Sequence, residues 1–153
     1  MPLLQSNENF SSAVENNFFA TYDLCSLASK HNVKSFVLVS SDKAVNPANL
    51  MGATKRLAEL SLQAFQDLKE NKTIFSMVRF GNVLNSSGSV VPLFWEQISN
   101  GGPVTVTHED VNRFFMTIKE AASLVLQSGA MAKGGEVFLL DMGDPIKIKE
   151  FAE

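Results

Sequence analysis

Two unbroken apolar runs constrain this chain most: Phe36-Val37-Leu38-Val39, and Val137-Phe138-Leu139-Leu140. A run without polar alternation gives a strand no solvent face, which suits a parallel strand covered on both sides. Thr73 to Phe80 reads as another strand. Helix-period stretches lie between them. One runs from Ser12 to Lys30, where Ser12-x-x-Glu15 has the form of a capping box and Val14, Phe18, Cys25 and Ala28 fall near one stripe. Another spans Ala48 to Lys69, with Asn46-Pro47 as N-cap and first-turn proline and Leu57, Ser61, Ala64, Phe65 and Leu68 keeping its period. Strands alternating with helices predict an α/β fold with a mostly parallel sheet. Ligands of such sheets sit beyond the carboxyl ends of the strands, which picks out the loops Ser40 to Asn49 and Gly81 to Ser89.

Further along, Val90 to Ser99 reads as a helix stopped by Asn100-Gly101-Gly102-Pro103. Pro103 to Thr107 and Arg113 to Thr117 read as shorter strands. Thr117-x-x-Glu120 is a second capping box, opening a helix that closes near Gly134-Gly135. Pro145 to Glu153 starts another strand-to-helix unit.

Composition narrows the function classes. At 153 residues, with 45% hydrophobic and 19% charged side chains, the chain has the makings of one folded domain. A formal net charge of −3 gives no sign of a general nucleic-acid binder. Cys25 is the lone cysteine, and His31 and His108 lack carboxylates at metal-ligand spacing, so no metal site is expected. No apolar run approaches the roughly 18–20 residues that span a bilayer. Met1 to Gln5 has neither the basic nor the apolar region of a signal peptide, which points to a cytoplasmic location.

Four segments could carry chemistry. Ser40-Ser41-Asp42-Lys43 follows a buried strand and offers hydroxyl, carboxylate and ammonium in succession, a proton acceptor beside a donor. The plainer alternative is a turn whose Ser and Asp bond the local backbone. In Met51-Gly52-Ala53-Thr54-Lys55, residues 51 and 55 share one helix face, with Lys55 directed back towards the strand ends. Arg79-Phe80-Gly81-Asn82-Val83 ends a strand and leads into the Gly- and Ser-rich stretch Asn85 to Ser89, where backbone can approach a flat or anionic ligand. Arg113 has the chemistry to clamp a phosphate, or to form a surface salt bridge. No G-x-G-x-x-G turn follows an N-terminal strand, so the dinucleotide fingerprint is missing from these residues.

Taken in order, several stretches resemble the nucleotide-sugar 4,6-dehydratases, and most closely the UDP-N-acetylglucosamine 4,6-dehydratases of bacterial capsule and polysaccharide biosynthesis. They are Val39 to Pro47, Met51 to Arg56, Val78 to Leu84, Gly88 to Phe94, Gly102 to Thr107 and Asp141-Met142-Gly143. These enzymes belong to the extended short-chain dehydrogenase/reductases. The resemblance implies a partial Rossmann-like doubly wound sheet over residues 1–89, and part of the small substrate-binding subdomain, with an interleaved Rossmann strand, over 90–153. It implies NAD(P) as cofactor, used as an internal hydride shuttle, and a UDP-sugar as substrate.

By that resemblance Lys43 is the C5 base, Asp42 the acid at the departing C6 hydroxyl, Ser41 a hydrogen-bond relay, and Lys55 the residue that holds the nicotinamide ribose. Met51 stands where most extended members carry the tyrosine that deprotonates the C4 hydroxyl. That burden then falls on Asp42. Arg79, Gly81, Asn82 and Val83 are expected at the cofactor. Asn82 is also expected near the sugar, Val91, Pro92, Leu93 and Phe94 against the uracil, Arg113 on the diphosphate, and Thr107 lining the same pocket.

Full dehydratases carry a Gly-rich half ahead of the segment matched here, and membrane-bound relatives carry transmembrane helices before that. The isolated 153-residue chain is therefore expected to bind cofactor weakly and to be nearly silent catalytically. A homo-oligomer is expected, through the helices near 12–30 and 48–69 or through an exposed sheet edge. Alternatives are a non-catalytic sugar-nucleotide-binding or regulatory module, and a C4 epimerase or reductase of the same family.

Overall fold

The computed structural model describes residues 10–84, 90–106 and 110–152. The chain forms two compact units, one gathering the residues up to Phe80 with Leu124–Leu140, the other Gly81–Ser123 with Asp141 onward.

The first unit opens with helix α1 (Phe10–Val14), a π-helical turn (Glu15–Phe19) and helix α2 (Ala20–Lys30). Strand β1 (Ser35–Val39), a 3-10 turn (Asp42–Ala44), helix α3 (Leu50–Gln66) and strand β2 (Ile74–Arg79) follow. Helix α5 (Ile118–Met131) begins in the second unit and ends in the first, where it leads to strand β6 (Val137–Leu139). The sheet is parallel throughout, in the order β1-β2-β6. Phe36 is in register with Phe75, and Met77 with Val137. One face carries Leu38, Phe75 and Met77 against Cys25 and Ala28 of α2 and Ala58 and Leu62 of α3. Full burial of side chains such as Leu62 and Phe75 stabilises by roughly 1.5–3 kcal/mol each. Val37, one residue out of phase with Leu38, meets α5 on the opposite face, where a β-carbon on Gly129 would lie 3.0 Å from Val37 Cγ2. Helices thus cover both faces, as the α/β reading anticipates.

The second unit contains strand β3 (Asn82–Val83), helix α4 (Val90–Ser99), strands β4 (Asn112–Arg113) and β5 (Phe115–Met116), strand β7 (Ile146–Lys147) and helix α6 (Ile148–Ala152). β3 pairs with β5 in parallel, and β4 with β7 antiparallel. The second capping box forms in full: Glu120 Oε2 accepts from Thr117 N–H at 2.8 Å and Thr117 Oγ–H at 2.7 Å, while Glu120 N–H donates to Thr117 Oγ1 at 3.2 Å. Helix α4 ends at Ser99 on a left-handed pair, Gly101 and Gly102, whose N–H groups donate to Ile98 and Gln97 carbonyls. Among the described residues no helix is long and apolar enough to cross a membrane.

Several expectations are corrected. The first helix is already running at Phe10, so Ser12 lies inside it and caps nothing. The N-cap of α3 is Asn49, whose Oδ1 accepts from Gly52 N–H at 3.0 Å; Asn46-Pro47 stays in the loop between the 3-10 turn and the helix. Among the described residues β1 is bonded to β2 alone, as the expected exposed edge, but of its residues only Leu38 is buried, short of the covered strand that its composition suggests. The fully covered strand is β2. The buried face of α3 is Gly52, Thr54, Ala58, Glu59 and Leu62; of the expected stripe Phe65 packs half-buried against the core, while Leu57 and Leu68 are exposed. Pro103 to Val106 forms no strand, since the side chain of Gln97 takes Thr105 N–H at 3.0 Å in place of a strand partner. Arg113 to Thr117 is divided at Phe114 between two different pairings.

Candidate active site

Beyond the end of β1 the backbone continues alongside β2: Ser40 N–H donates to Val78 O at 2.8 Å and Asp42 N–H to Phe80 O at 3.1 Å. Ser41 is extended and opens the 3-10 turn, its Oγ accepting from Lys43 N–H at 3.3 Å. The turn therefore presents Ser41, Asp42 and Lys43 together at the carboxyl end of the sheet. Asp42 Oδ1 accepts from Ser41 Oγ–H at 2.9 Å and from Lys43 Nζ at 2.9 Å. Partial burial alone would push the Asp42 carboxyl up. Its hydrogen bond and ion pair with Lys43, with help from Ser41, outweigh that and hold it below the usual carboxylate range. Asp42 is thus an anion at neutral pH.

The first turn of α3 packs directly on this loop. Gly52 is buried, and a β-carbon on it would stand 2.4 Å from the Lys43 carbonyl oxygen and 3.2 Å from Pro47 Cβ. Only a residue without a side chain lets the two backbones approach so closely. The turn is braced from the other side by Asn17, in the π-helical turn, whose Nδ2 donates to Thr54 Oγ1 at 3.1 Å; Thr54 Oγ1 donates in turn to Met51 O at 3.0 Å. Met51 and Lys55 are both half-buried. Lys55 makes no hydrogen bond or ion pair among the described residues, and burial pushes its ammonium below the usual lysine range, partly opposed by the charge of Glu59. Such a half-buried cation without a protein partner fits the hydroxyls of a ribose or another electron-rich ligand group.

Glu59 is the residue that the sequence reading missed. It is fully buried and accepts four hydrogen bonds, from Ser40 Oγ–H at 2.6 Å, Arg56 Nη1 at 3.0 Å, Arg79 Nε at 2.7 Å and Arg79 Nη2 at 2.5 Å. Burial alone would raise its carboxyl pKa, but these donors, Arg79 foremost, hold it low. Arg79, expected at the cofactor, is engaged bidentately by Glu59. A signal was present: a carboxylate beside Ala58 on the buried face of α3, with an arginine closing the central strand.

The remaining expected residues lie in the second unit. Gly81 N–H points at Met142 Sδ at 2.8 Å, and Asn82 N–H donates to Phe114 O at 3.1 Å as β3, which also holds Val83, joins β5. Val91, Pro92, Leu93 and Phe94 occupy the first turns of α4, Phe94 buried and Leu93 exposed. Arg113 is exposed, donating Nη1–H to Asn112 O at 3.1 Å. Thr107 and His108, and residues 85–89 of the Gly- and Ser-rich stretch, fall outside the described residues. Among the described residues no cluster of His, Cys, Asp and Glu is arranged to hold a metal ion.

The sequence and fold have known counterparts. A family described as polysaccharide biosynthesis protein matches residues 1–153, and the chain belongs to it. The capsular polysaccharide biosynthesis protein CapD of Staphylococcus aureus is 54% identical over 153 residues, the whole of this chain and 25% of that protein. The chain thus spans about a quarter of that relative's length. Among solved structures, Pen from Bacillus thuringiensis superposes with a TM-score of 0.94 at 38% identity, over 99% of this chain and 47% of Pen. DesIV of Streptomyces venezuelae, a dTDP-glucose 4,6-dehydratase solved with NAD and TYD bound, shares the fold at a TM-score of 0.88 with 18% identity, over 99% of this chain and 52% of DesIV. The fold is Rossmann-type, and a UDP-glucose 4-epimerase of Rickettsia canadensis is 36% identical over 128 residues, 83% of this chain and 38% of that protein.

Proposed function

We propose that this member of the polysaccharide biosynthesis family supplies the reacting side chains for NAD(P)-dependent 4,6-dehydration of a UDP-N-acetylhexosamine, UDP-N-acetylglucosamine first among them. The observation that carries the reading is the Asp42–Lys43 pair, hydrogen-bonded at 2.9 Å and set under Gly52 in the first turn of the helix that carries Lys55. Elimination across C5 and C6 needs a base for the C5 proton and an acid for the C6 hydroxyl. Epimerisation at C4 needs neither, and on that ground dehydration is preferred.

NAD(P), when bound, supplies the hydride acceptor at C4 and the donor at C6. Lys55, with its unpartnered ammonium, holds the ribose hydroxyls of the nicotinamide end. Asp42, ionised at neutral pH, accepts the C4 hydroxyl proton, a task that Met51 has no group to perform. Ser41, bonded to Oδ1, orients that carboxylate. Once Asp42 is protonated its ion pair with Lys43 ends; Lys43 passes its ammonium proton to solvent, to be regained from solvent at the end of the cycle, and the amine removes the C5 proton. Asp42 then returns its proton to the C6 hydroxyl, which departs as water, and Lys43 returns its own to C5. The C4 proton and the C6 hydroxide together make up the water released, so the step balances. Asn82 is assigned to the sugar, Val91, Pro92, Leu93 and Phe94 to the uracil, and Arg113 to the diphosphate.

Self-association is part of the same proposal. Tyr22, Leu24 and Leu27 of α2 and Leu57 and Leu60 of α3 are all exposed, an apolar surface of the kind that a second copy covers.

Ligand-observed NMR with UDP-N-acetylglucosamine and NAD+ offered separately tests the reading. Binding of the sugar nucleotide that is weakened by Arg113→Ala is expected. No binding of UDP-N-acetylglucosamine at millimolar concentration overturns it. In an active preparation, a 6-deoxy-4-keto product with solvent deuterium at C5 supports dehydration, and a C4 epimer with unexchanged C5 refutes it.

A further inference from the structure

We propose that Glu59 is the positioning residue of this site, a buried anion that ties the departure of the Ser40–Lys43 loop to the helix carrying Lys55. The inference rests on the reading of Asp42, Lys43 and Lys55 as the reacting groups, and it adds a residue which that reading does not use.

The argument starts from cost. Removing a carboxylate wholly from water is expensive, and an apolar side chain would fill the same place on α3 more cheaply. Glu59 keeps its charge because every lone-pair direction is answered: Oε1 takes Ser40 Oγ–H and Arg79 Nε–H, Oε2 takes Arg56 Nη1–H and Arg79 Nη2–H. These donors come from three places. Ser40 is the residue immediately before Ser41, Arg79 is the last residue of β2, and Arg56 sits on α3 itself. One carboxylate therefore joins the carboxyl ends of two adjacent strands to the helix beside them.

Glu59 also stands one helical turn after Lys55, a neighbour on the same helix. The charge that acts on Lys55 is that of Glu59, which is itself paired with Arg56 on α3 and Arg79 on β2, while Asp42 and Lys43 pair with each other on the turn packed under Gly52. Glu59 is the buried anion of that set. Replacing it by an amide leaves Arg56, Arg79 and Lys43 without it, and the field at Lys55 becomes more positive. A merely structural anchor would lower stability and do nothing else.

Two readouts on the folded 153-residue chain separate these cases, and neither needs a nucleotide. The first is the titration of the Lys55 13Cε resonance, assigned by its loss in Lys55→Arg. The second is amide hydrogen exchange at Asp42, Lys43 and Ala44. In Glu59→Gln the Lys55 midpoint is expected to move to lower pH, and exchange at the three amides to quicken beyond that in Leu62→Ala, a purely packing variant of the same helix. In Ser40→Ala, which cuts the link to the loop and leaves the charges in place, the amides are expected to quicken while the Lys55 midpoint holds. An unmoved Lys55 midpoint in Glu59→Gln overturns the proposal, as does loop exchange that only keeps step with Leu62→Ala. If Glu59→Gln does not fold, Ser40→Ala decides: wild-type exchange at Asp42–Ala44 overturns it. Failure of UDP-N-acetylglucosamine to bind would sink the proposed function while leaving both readouts to stand or fall by themselves.

Discussion

The α-carbon of Gly52 rests against the carbonyl of Lys43, so closely that a β-carbon would lie 2.4 Å from the oxygen. Backbone, unlike the end of a flexible side chain, has nowhere to yield. Gly52→Ala is therefore expected to force the first turn of α3 away from the Ser41–Lys43 turn. The cost should resemble overpacking of a core, about 1–3 kcal/mol. Urea unfolding measures that loss, and a variant as stable as the wild type would contradict the close approach. Sugar-nucleotide binding should weaken in parallel.

The Glu59–Arg79 pair makes a pH-dependent contribution. Burial by itself would raise the Glu59 carboxyl, but Arg79, Ser40 and Arg56 bring it below its value in the unfolded chain. A depressed folded-state pKa means stability that is fully present above the ordinary glutamate range and lost as pH falls through the folded value. Unfolding free energy should thus decline on acidification below that range. Arg79→Met strands the carboxylate in the interior, at about 3–5 kcal/mol near neutral pH. It should also flatten or reverse the acid slope, because desolvation then favours the protonated form. A wild-type slope in that variant would show the pair to be inconsequential.

Cys25 is buried in the core between α2 and the sheet, and its thiol is pushed up to about 12 by desolvation. Since the thiolate is the reactive form, a thiol reagent at mildly alkaline pH should leave the native chain unlabelled and label it fully in denaturant. Rapid native labelling would place Cys25 outside the core.

Ser76, in the middle of β2, is fully buried, and its hydroxyl has no hydrogen-bond partner among the described residues. Ser76→Ala removes an unsatisfied polar atom from the interior and is expected to be neutral or to stabilise by about 1 kcal/mol. A marked destabilisation, read from the denaturation midpoint, would reveal a partner for that oxygen.

The exposed apolar faces of α2 and α3 make self-association sensitive to charge. Leu24→Glu combined with Leu60→Glu should shift the mass measured by light scattering towards the monomer while leaving the far-UV circular dichroism unchanged. An unaltered mass would direct attention to the sheet edge instead.

Local signals in the sequence anticipated much of this. The α/β alternation, helix α4 with its Gly101-Gly102 stop, and the Thr117–Glu120 capping box are all dictated by neighbours within a few residues, and all appear as read. The Ser41-Asp42-Lys43 turn was legible for the same reason. What failed was any inference that needed to know which neighbour an element meets. β1 has the composition of a covered strand but only Leu38 of it is buried, and α3 has apolar residues on two faces, of which the period could not say which packs on the sheet.

Sequence alone therefore settled the order of elements and the residue types at the strand ends, because those depend on short-range backbone preference and hydrophobic period. Only tertiary structure decided that Glu59 lies beneath Ser40 with Arg79 bonded across it, and that Gly52 seats Lys55's helix on Lys43. Those partners are separated by between nine and twenty positions in the chain, and what joins them is burial of charge and close backbone approach, neither of which leaves a local pattern.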